Sequence, residues 1–381
     1  MTSVDEPIGR RVARWRVRRR MTQQMFADRL GRSKSWVDKT ERGVRPLDRY
    51  PVIREVAGVL RVDPLVLLGE HRPSPSTMVG PLDGVDAVRG ALARYDDHPA
   101  TVCVAETGRQ VAYAWLTFQH AHYAQVVRLL PRLLGAAQGM RAAEPELLVQ
   151  AYRITSSVLV KLGEADLGWL AADRAMAVAS ADPALAGAAA VSVGQALRAL
   201  GRDRLALVAT TAAARRVGSA SEAVHGTLLL QAALAAAGCG DAGRAGELTD
   251  RAAGLAAGIA ADDPHRTAFG SAAVALARVV VAVESGDAGE AVLRHEQVVR
   301  REAWRRLPVE YRAAYLVDAA RAYLQLGDLR GAGRVLVDAD GLAPAEVRCR
   351  PAARTVLAEL ARAHPAPAGV ARLATLVGLT R

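Results

Sequence analysis

Apolar residues recur at spacings of three and four along almost the whole chain, and no segment shows the two-residue alternation that is typical of a β-strand. Near the start, one apolar stripe predicts a helix over about residues 7–19 and another predicts a helix over about 48–60. A shorter stripe with helix start and stop signals predicts a further helix over 63–69. The pattern therefore predicts an all-α chain.

Between these helices, residues 22–43 (TQQMFADRLGRSKSWVDKTERG) contain two short apolar stripes on either side of Gly31. Phe26 and Leu30 precede the glycine and Val37 follows it, so two short helices could bury these side chains against each other. Gly31 suits the tight turn between them because glycine tolerates a positive φ. We interpret this stretch as a helix-turn-helix.

The second of these helices is predicted over about 34–42, with Ser33 as its N-cap and Gly43 as its stop. Its other face is expected to be exposed and rich in long hydrogen-bond donors, which suit contacts to base edges and phosphates. The exposed residues predicted there are Lys34, Ser35, Trp36, Asp38, Lys39 and Arg42.

The stretch resembles the helix-turn-helix of phage repressors and Xre-type regulators, which it follows almost throughout. The resemblance covers about residues 7–70 and implies a five-helix domain that binds double-stranded DNA. It places Gln23 on a phosphate, Ser33 and Arg42 near phosphates, and Lys34, Ser35 and Lys39 on bases. It also implies an ion pair between Arg16 and Glu41. Trp36 departs from the family, which has smaller residues there, so two roles stay open for it: contacting DNA or packing on the domain's own surface.

Charge supports this interpretation. Residues 1–72 carry 17 Lys and Arg against 9 Asp and Glu, whereas the remaining 309 residues carry 33 against 30. A basic terminal domain on a nearly neutral body is expected of a nucleic-acid-binding protein. The polar face of the first helix is the densest charge run, and either solvation or phosphate contact would explain it. Its members are Arg10, Arg11, Arg14, Arg18 and Arg19.

Residues 71–82 (HRPSPSTMVGPL) are rich in Pro, Ser and Gly and predict a linker between residues 1–70 and a second domain over 83–381. Half of the residues in the chain are apolar and only 4% are aromatic, with abundant Ala. This composition excludes a wholly disordered chain and favours closely packed helices over sheets.

The second domain shows an internal repeat. Six segments align at spacings of 42, 38, 39, 46 and 41 residues when they begin at Thr107, Val149, Gly187, Gly226, Ala272 and Ala313. Small or apolar residues occupy positions eight, twenty and twenty-seven, and Gly occupies position fifteen in five of the six. Small residues allow two helices to cross closely, and a glycine turn can join them. We therefore predict an α-solenoid of about six helix pairs.

The repeat resembles the tetratricopeptide repeat, and a helix-turn-helix followed by such a body resembles the repeat-containing bacterial regulators of the Xre type. In some such regulators the repeat domain binds a peptide or a small molecule and mediates dimerisation, so the resemblance implies a homodimer with a ligand in the groove. A partner protein is the alternative occupant of the groove. The register predicts which residues face the groove: Arg153, Ser157, Lys161, Gln195, Arg198 and Arg321. A peptide carboxylate would suit Arg153 and Lys161, although ordinary solvation would also explain each of the six.

The sequence shows no phosphate-binding glycine loop, nucleophile elbow or zinc-protease motif, so we expect no enzyme, no cofactor and no metal. Its three cysteines lie far apart without metal-binding spacing, and no long uncharged apolar run indicates a membrane span or signal peptide. We therefore expect a cytoplasmic, nucleoid-associated protein without membrane contact. Two functions fit: a sequence-specific DNA-binding transcriptional regulator, or a repeat-domain interaction scaffold held on DNA by a weakly specific head.

Overall fold

The computed structural model describes residues 7–19, 21–47, 50–60, 67, 84–94, 103–179, 182–258, 263–363 and 365–379. All regular elements in these residues are helices, as predicted. The chain divides into two compact units, Met1–Met78 and Val79–Arg381. The whole of the predicted linker over 71–82 lies outside the described residues. So does the predicted helix over 63–69, apart from residue 67.

The first unit contains four described helices around one apolar core: α1 (Ile8–Arg18), α2 (Gln23–Arg29), α3 (Lys34–Glu41) and α4 (Tyr50–Leu60). Its core is formed by apolar side chains from every one of these helices, together with helical Leu67 from the region of the predicted fifth helix. Fully buried examples are Val12, Phe26, Val37, Ile53 and Val56. The apolar stripes predicted from the sequence are therefore the faces that pack together.

Local signals define the helix-turn-helix. The Ser33 hydroxyl accepts a hydrogen bond from the Trp36 backbone N–H at 3.1 Å, which confirms the predicted N-cap of α3. Gly31 in the turn has a φ of 60°, and Gly43 after α3 has a φ of 77°. Both angles are in the left-handed region, where glycine is favoured, so the turn and the stop form where the sequence predicted them.

The second unit is a solenoid of antiparallel helix pairs, preceded by α5 and ended by three shorter helices. The six pairs begin at the six predicted repeats, and α16 lies between the fifth and sixth. The helices are α5 (Val85–Ala93), α6 (Val104–Gln119), α7 (Tyr123–Gln138), α8 (Pro145–Lys161), α9 (Ala165–Ala179), α10 (Pro183–Ala199), α11 (Asp203–Val217), α12 (Glu222–Gly238), α13 (Ala242–Ala256), α14 (Ser271–Glu284), α15 (Ala288–Val298), α16 (Glu302–Arg306), α17 (Val309–Gln325), α18 (Leu329–Leu342), α19 (Pro344–Arg348), α20 (Pro351–Ala361) and α21 (Val370–Leu376). This confirms the predicted tetratricopeptide-like α-solenoid.

The turn inside each pair falls at the fifteenth position of the repeat. In all six pairs the residue there has a positive φ, between 58° and 86°, which reverses the chain after the first helix. The six residues are Ala121, Gly163, Gly201, Gly240, Gly286 and Gly327. The small residues predicted at positions eight, twenty and twenty-seven are buried in all six pairs. A side chain on Gly194, for example, would overlap Thr210 in the second helix of its pair.

The first helix pair of the solenoid also contacts helices near its C-terminal end. Helices α6 and α17, from the first and sixth pairs, touch each other. The Tyr123 hydroxyl at the start of α7 donates a hydrogen bond to the Glu346 carboxylate in α19, 223 residues later in the chain. The first pair is therefore joined by a side-chain hydrogen bond to the helix that follows the sixth pair, and the first helices of the pairs surround a common inner space.

Among the described residues, no helix combines the length and the apolar character that crossing a membrane requires.

Candidate functional site

The surface of α3 is the first candidate site. Val37 and Thr40 are buried against the core of the first unit. The residues predicted to read bases or to lie near phosphates are all exposed: Ser33, Lys34, Ser35, Lys39 and Arg42. Arg42 pairs with Asp38 one turn earlier, and both side chains remain at the surface. One face of α3 therefore holds the helix on the domain, and the other offers two lysines and a hydroxyl to a ligand.

Trp36 lies between the two faces of α3 and is half-buried. The guanidinium carbons of Arg32 and Arg45 lie 5.7 and 6.0 Å from its ring centroid, within the range of cation–π contacts. The indole thus packs on the domain's own surface and holds two basic side chains beside α3. Its proposed DNA contact stays a prediction.

An ion-pair network joins α1, α2 and α3. Arg16 Nε lies 2.6 Å from Glu41 Oε1, and Arg16 Nη2 lies 3.0 Å from Glu41 Oε2. Arg16 Nη1 also donates to the Met21 carbonyl oxygen at 2.7 Å. This is the pair that the Xre resemblance implied. The Gln23 side-chain amide donates to Glu41 Oε2 at 2.9 Å, so the residue predicted to hold a phosphate is oriented by the same carboxylate.

The polar face of α1 serves in part to hold the first unit together. Arg19 Nε donates to the Leu60 carbonyl oxygen at the end of α4, at 3.0 Å. Arg10 and Arg14 are exposed, whereas Arg11 is half-buried. The side chain of Arg18 lies outside the described part of the chain. Both predicted explanations of this arginine face, solvation and phosphate contact, thus stay open for Arg10 and Arg14.

The inner space of the solenoid is the second candidate site, a cavity of about 630 Å³. The first helices of all six pairs line it. The ninth repeat position lies in its wall in every pair: Trp115, Ser157, Gln195, Leu234, Val280 and Arg321. The volume is within the range of about 300–1,000 Å³ that is usual for small-molecule sites.

The six groove residues predicted from the sequence all line this cavity: Arg153, Ser157, Lys161, Gln195, Arg198 and Arg321. The repeat register therefore placed them on the correct face. Their binding of a ligand stays a prediction, and their present partners differ. Trp115, Tyr152 and Tyr323 are buried, and Trp115 lines the cavity as well.

Lys161 is held by two carboxylates. Its ammonium pairs with Glu310 of α17 and, at 2.7 Å, with Glu346 of α19. Burial lowers the pKa of Lys161, but the adjacent carboxylates more than offset this effect, so the net pKa is raised. Burial also raises the pKa of Glu310. Arg350 lies 3.6 Å from the second oxygen of Glu346 and completes this cluster, which joins α8 to the end of the solenoid.

Arg321 is likewise paired with carboxylates, whereas the described residues include no ion-pair partner for Arg198. Arg321 Nη1 lies 2.7 Å from Glu284 and 3.5 Å from Asp318. The Nε of Arg198 is buried without a hydrogen-bond partner among the described residues. Burial lowers the pKa of the Arg198 guanidinium, and the nearby carboxylates of Asp318 and Glu284 only partly oppose this. Arg198 therefore holds a charge in the wall with incomplete hydrogen bonding.

Arg153 lies at another part of the wall and is 3% exposed. Its Nη1 donates to the His265 carbonyl oxygen at 2.8 Å and to Gln150 Oε1 at 3.1 Å, and its guanidinium carbon lies 5.3 Å from the centroid of the Trp115 ring. Its Nε has no hydrogen-bond partner in the described structure. Burial lowers the pKa of Arg153 to about 10, although Asp263 opposes the shift. Arg153 still carries its charge at neutral pH.

Several residues around the cavity were not predicted from the sequence. Arg266 lies in the loop before α14, Arg350 lies before α20, and Gln231 lies on α12; all three line the cavity. Arg350 lies in a segment to which the sequence assigned no chemistry. Gln231 occupies position six of its repeat, next to a predicted groove position, so the register offered a partial signal for it.

The chain is similar to a helix-turn-helix family in its first unit and to solved helical structures in its fold. Residues 7–68 match a family described as "Helix-turn-helix domain", which covers the first unit and not the solenoid. No curated protein matches the chain significantly. Among solved structures, a Rap protein complexed with Competence and Sporulation Factor is 12% identical, with a TM-score of 0.52 over 89% of this chain and 99% of that one. At this identity the likeness shows the fold alone, an α-solenoid of helix pairs.

Two further solved structures align with lower TM-scores. Bacillus thuringiensis PlcR, in complex with the peptide PapR7 and DNA, is 10% identical and aligns with a TM-score of 0.37 over 88% of this chain and 99% of that one. Aspartyl phosphate phosphatase F from Bacillus subtilis is 10% identical and aligns with a TM-score of 0.46 over 90% of this chain and 94% of that one.

Proposed function

We propose that this protein is a sequence-specific, DNA-binding transcriptional regulator of the Xre type. The observation that carries the proposal is the exposed face of α3, where Lys34, Ser35 and Lys39 stand free of the core in a domain that matches the helix-turn-helix family. In this proposal α3 enters the major groove, and these three side chains read base edges. Gln23, Ser33 and Arg42 hold phosphates, and Trp36 supports the basic side chains beside them.

In this proposal the solenoid regulates DNA binding by the first unit, which we call the head. Its repeats resemble tetratricopeptide repeats, and its cavity has the size and the charged wall expected of a ligand site. In this proposal the solenoid forms a homodimer, so that two heads contact two half-sites of an operator. A ligand in the cavity would then shift the population of DNA-competent arrangements. The proposal involves no enzymatic step and no cofactor, and it places the protein in the cytoplasm at the nucleoid.

The test begins with selection of bound sequences from a random pool of duplex DNA by the full chain. The proposal expects enrichment of a common sequence, against which random DNA of equal length competes poorly at fixed salt. Equal competition by random DNA would instead favour the second function, a repeat-domain scaffold that a weakly specific head holds on DNA. The search for function would then turn to proteins bound by the solenoid.

Lys39→Ala tests the assignment of α3 at one residue. We expect it to weaken binding to the selected sequence by about 1–3 kcal/mol, while binding to random DNA changes little. Arg54→Ala is the matched control, because Arg54 is an exposed cation of α4 in the same unit. Loss of Arg54 should weaken binding to the selected DNA and to random DNA equally. Unchanged affinity of the Lys39→Ala variant for the selected DNA would remove Lys39 from the reading surface.

A further inference from the structure

The cavity of the solenoid has one apolar and one cationic side. Helices α12 and α14 contribute mainly aliphatic side chains, to which Phe269 from the loop before α14 is added. These aliphatic residues include Leu230, Leu234, Leu276 and Val280. Helices α8 and α10 contribute Arg153, Lys161 and Arg198. In the whole wall, six Lys and Arg side chains face three carboxylates, so the cavity favours an anion.

Three of the six cations in the wall, Lys161, Arg321 and Arg350, already have acidic partners. Lys161 is shared by Glu310 and Glu346, and Arg321 is shared by Glu284 and Asp318. An incoming acid would have to compete with carboxylates that are buried or half-buried beside these two cations. They are therefore poor anchors for a ligand, although the sequence had placed both in the groove.

Three polar atoms in the wall are instead buried without a hydrogen-bond partner among the described residues: Arg153 Nε, Arg198 Nε and Gln231 Oε1. Two are donors of charged groups and the third is an acceptor. Buried polar atoms are ordinarily paired, because a buried polar atom without a partner has lost its hydrogen bonds to water without replacement. An occupant that accepts a hydrogen bond from one of the arginines and donates one to Gln231 would provide partners that the protein does not.

The positions of these atoms define the occupant further. Gln195 and Arg198 lie one turn apart on α10, and Gln231 lies on α12, the first helix of the next pair. Leu230 and Leu234 lie on the same face of α12 as Gln231. A polar head at Arg198 and Gln231 would therefore continue directly into an apolar body against the leucines.

We infer that the cavity binds an acidic amphiphile, a small molecule with one carboxylate or phosphate, a hydrogen-bond donor beside it and an apolar body. Arg198 binds the acid, Gln231 accepts from the donor, and Leu230, Leu234 and Leu276 contact the apolar body. The ligand's regulatory role rests on the proposed function, whereas its binding does not. Binding is therefore measured on the full chain without DNA, so that a failure here leaves the DNA-binding test unaffected.

The probe is N-decanoylglycine, which has a carboxylate, an amide N–H and an apolar chain, and the measurement is isothermal titration calorimetry. Three matched compounds separate the contributions: N-decanoylglycinamide lacks the charge, decanoate lacks the amide donor, and decyl phosphate carries the alternative acid. We expect saturable binding of one N-decanoylglycine per chain. Binding of the uncharged amide should be weaker by about tenfold or more, the effect of one charge-assisted hydrogen bond.

Two variants locate the head of the ligand. Arg198→Gln should weaken N-decanoylglycine about tenfold or more and leave the uncharged amide nearly unchanged. Gln231→Leu should weaken N-decanoylglycine but not decanoate, which has no donor for Gln231. Arg278→Gln is the control, since Arg278 is a partly exposed cation of α14 that pairs with Asp250 and does not line the cavity. It should bind as the unaltered chain does.

Either of two results would overturn the inference. The first is the absence of saturable binding by N-decanoylglycine, decanoate and decyl phosphate alike at millimolar concentration. The second is binding that does not depend on the charge of the ligand: N-decanoylglycinamide would bind as tightly as N-decanoylglycine, and Arg198→Gln would change the affinity for neither compound. Preference for decyl phosphate over the carboxylates would support the inference and identify the acid as a phosphate.

Discussion

Arg16 and Glu41 form a two-point ion pair that ties the first helix of the head to the last turn of α3, with N–O distances of 2.6 and 3.0 Å. Glu41 is 6% exposed, so this carboxylate depends on Arg16 and Gln23 for its hydrogen bonds. The pair fixes the end of the helix whose other face we propose to read DNA.

Removal of one partner of this pair should unfold the head before the solenoid. We expect Arg16→Met to destabilise the first unit by about 3–5 kcal/mol, because it leaves Glu41 as an uncompensated buried charge. Hydrogen exchange of the α1–α3 amides would detect the change separately from the solenoid. The control is Arg42→Met, which removes a surface partner of Asp38 and should cost about 1 kcal/mol or less. Equal protection of these amides in both variants would contradict the structural role of Arg16.

The close approach of α1 to α3 gives a second prediction. A Cβ on Gly9 would overlap the Thr40 carbonyl oxygen, so Gly9→Ala should force the two helices apart and destabilise the head by about 1–3 kcal/mol. Gly58 is an exposed glycine inside α4 with open space around it. Gly58→Ala should stabilise the same unit by about 0.5–1 kcal/mol, since alanine is the better helix former. Thermal unfolding would check the opposite signs, and a shift in the same direction for both would refute the packing argument.

The cluster around Lys161 should hold α8, in the second helix pair, against the end of the solenoid. Lys161→Met leaves Glu310 and Glu346 buried without their shared cation, and we expect a loss of about 3–5 kcal/mol. Denaturant unfolding would measure the loss, and adding Glu310→Gln should restore part of it. Arg306→Met, which removes an exposed surface pair with Glu302, should cost about 1 kcal/mol or less. A loss as small as that of the control would show that the cluster does not join the repeats.

His295 predicts how the solenoid responds to acid. Burial lowers the pKa of His295 from 6.5 to about 4, and Glu296 opposes the shift while Arg334 adds to it. Its ring nitrogen Nδ1 lies 2.9 Å from the Tyr315 hydroxyl. As the pH falls, the unfolded chain takes up the proton on this histidine before the folded chain does. The contribution of neutral His295 to the free energy of unfolding is therefore complete above pH 6.5 and is lost as the pH falls toward about 4. A pKa shift of this size corresponds to a loss of up to about 3 kcal/mol in the free energy of unfolding.

The check on this prediction is denaturant unfolding across the same pH range. The unaltered chain should lose stability steadily between pH 6.5 and 4, and His295→Gln should flatten part of that slope. An identical slope in the variant would assign the acid sensitivity to other groups.

The elements that the sequence predicted correctly depend on local signals. Ser33 and Gly43 mark the two ends of α3, and the fifteenth repeat position marks the turn between the two helices of every pair. Both kinds of signal are local, because capping and positive φ are set by a few neighbouring residues. The groove face was also predictable, since a helix places positions five, nine and twelve on one side. Its six predicted residues all line the cavity.

The partners of those residues were not predictable. Tyr123 and Glu346 are 223 residues apart in sequence, and no local pattern indicates that the first and last repeats meet. The sequence therefore suggested that Lys161 was available to a ligand, whereas Glu310 and Glu346 already hold it. Another tertiary contact was equally unpredictable: the loop before α14 brings Phe269 against Gly226, where a side chain would overlap the ring.

The central claim, specific DNA binding by α3, is tested most directly by genome-wide mapping of DNA bound to the tagged full-length chain in its host. The account predicts sharp peaks that share a short inverted repeat, and their loss in the Lys39→Ala variant at equal protein level. Diffuse occupancy without a shared sequence, unchanged by Lys39→Ala, would contradict it.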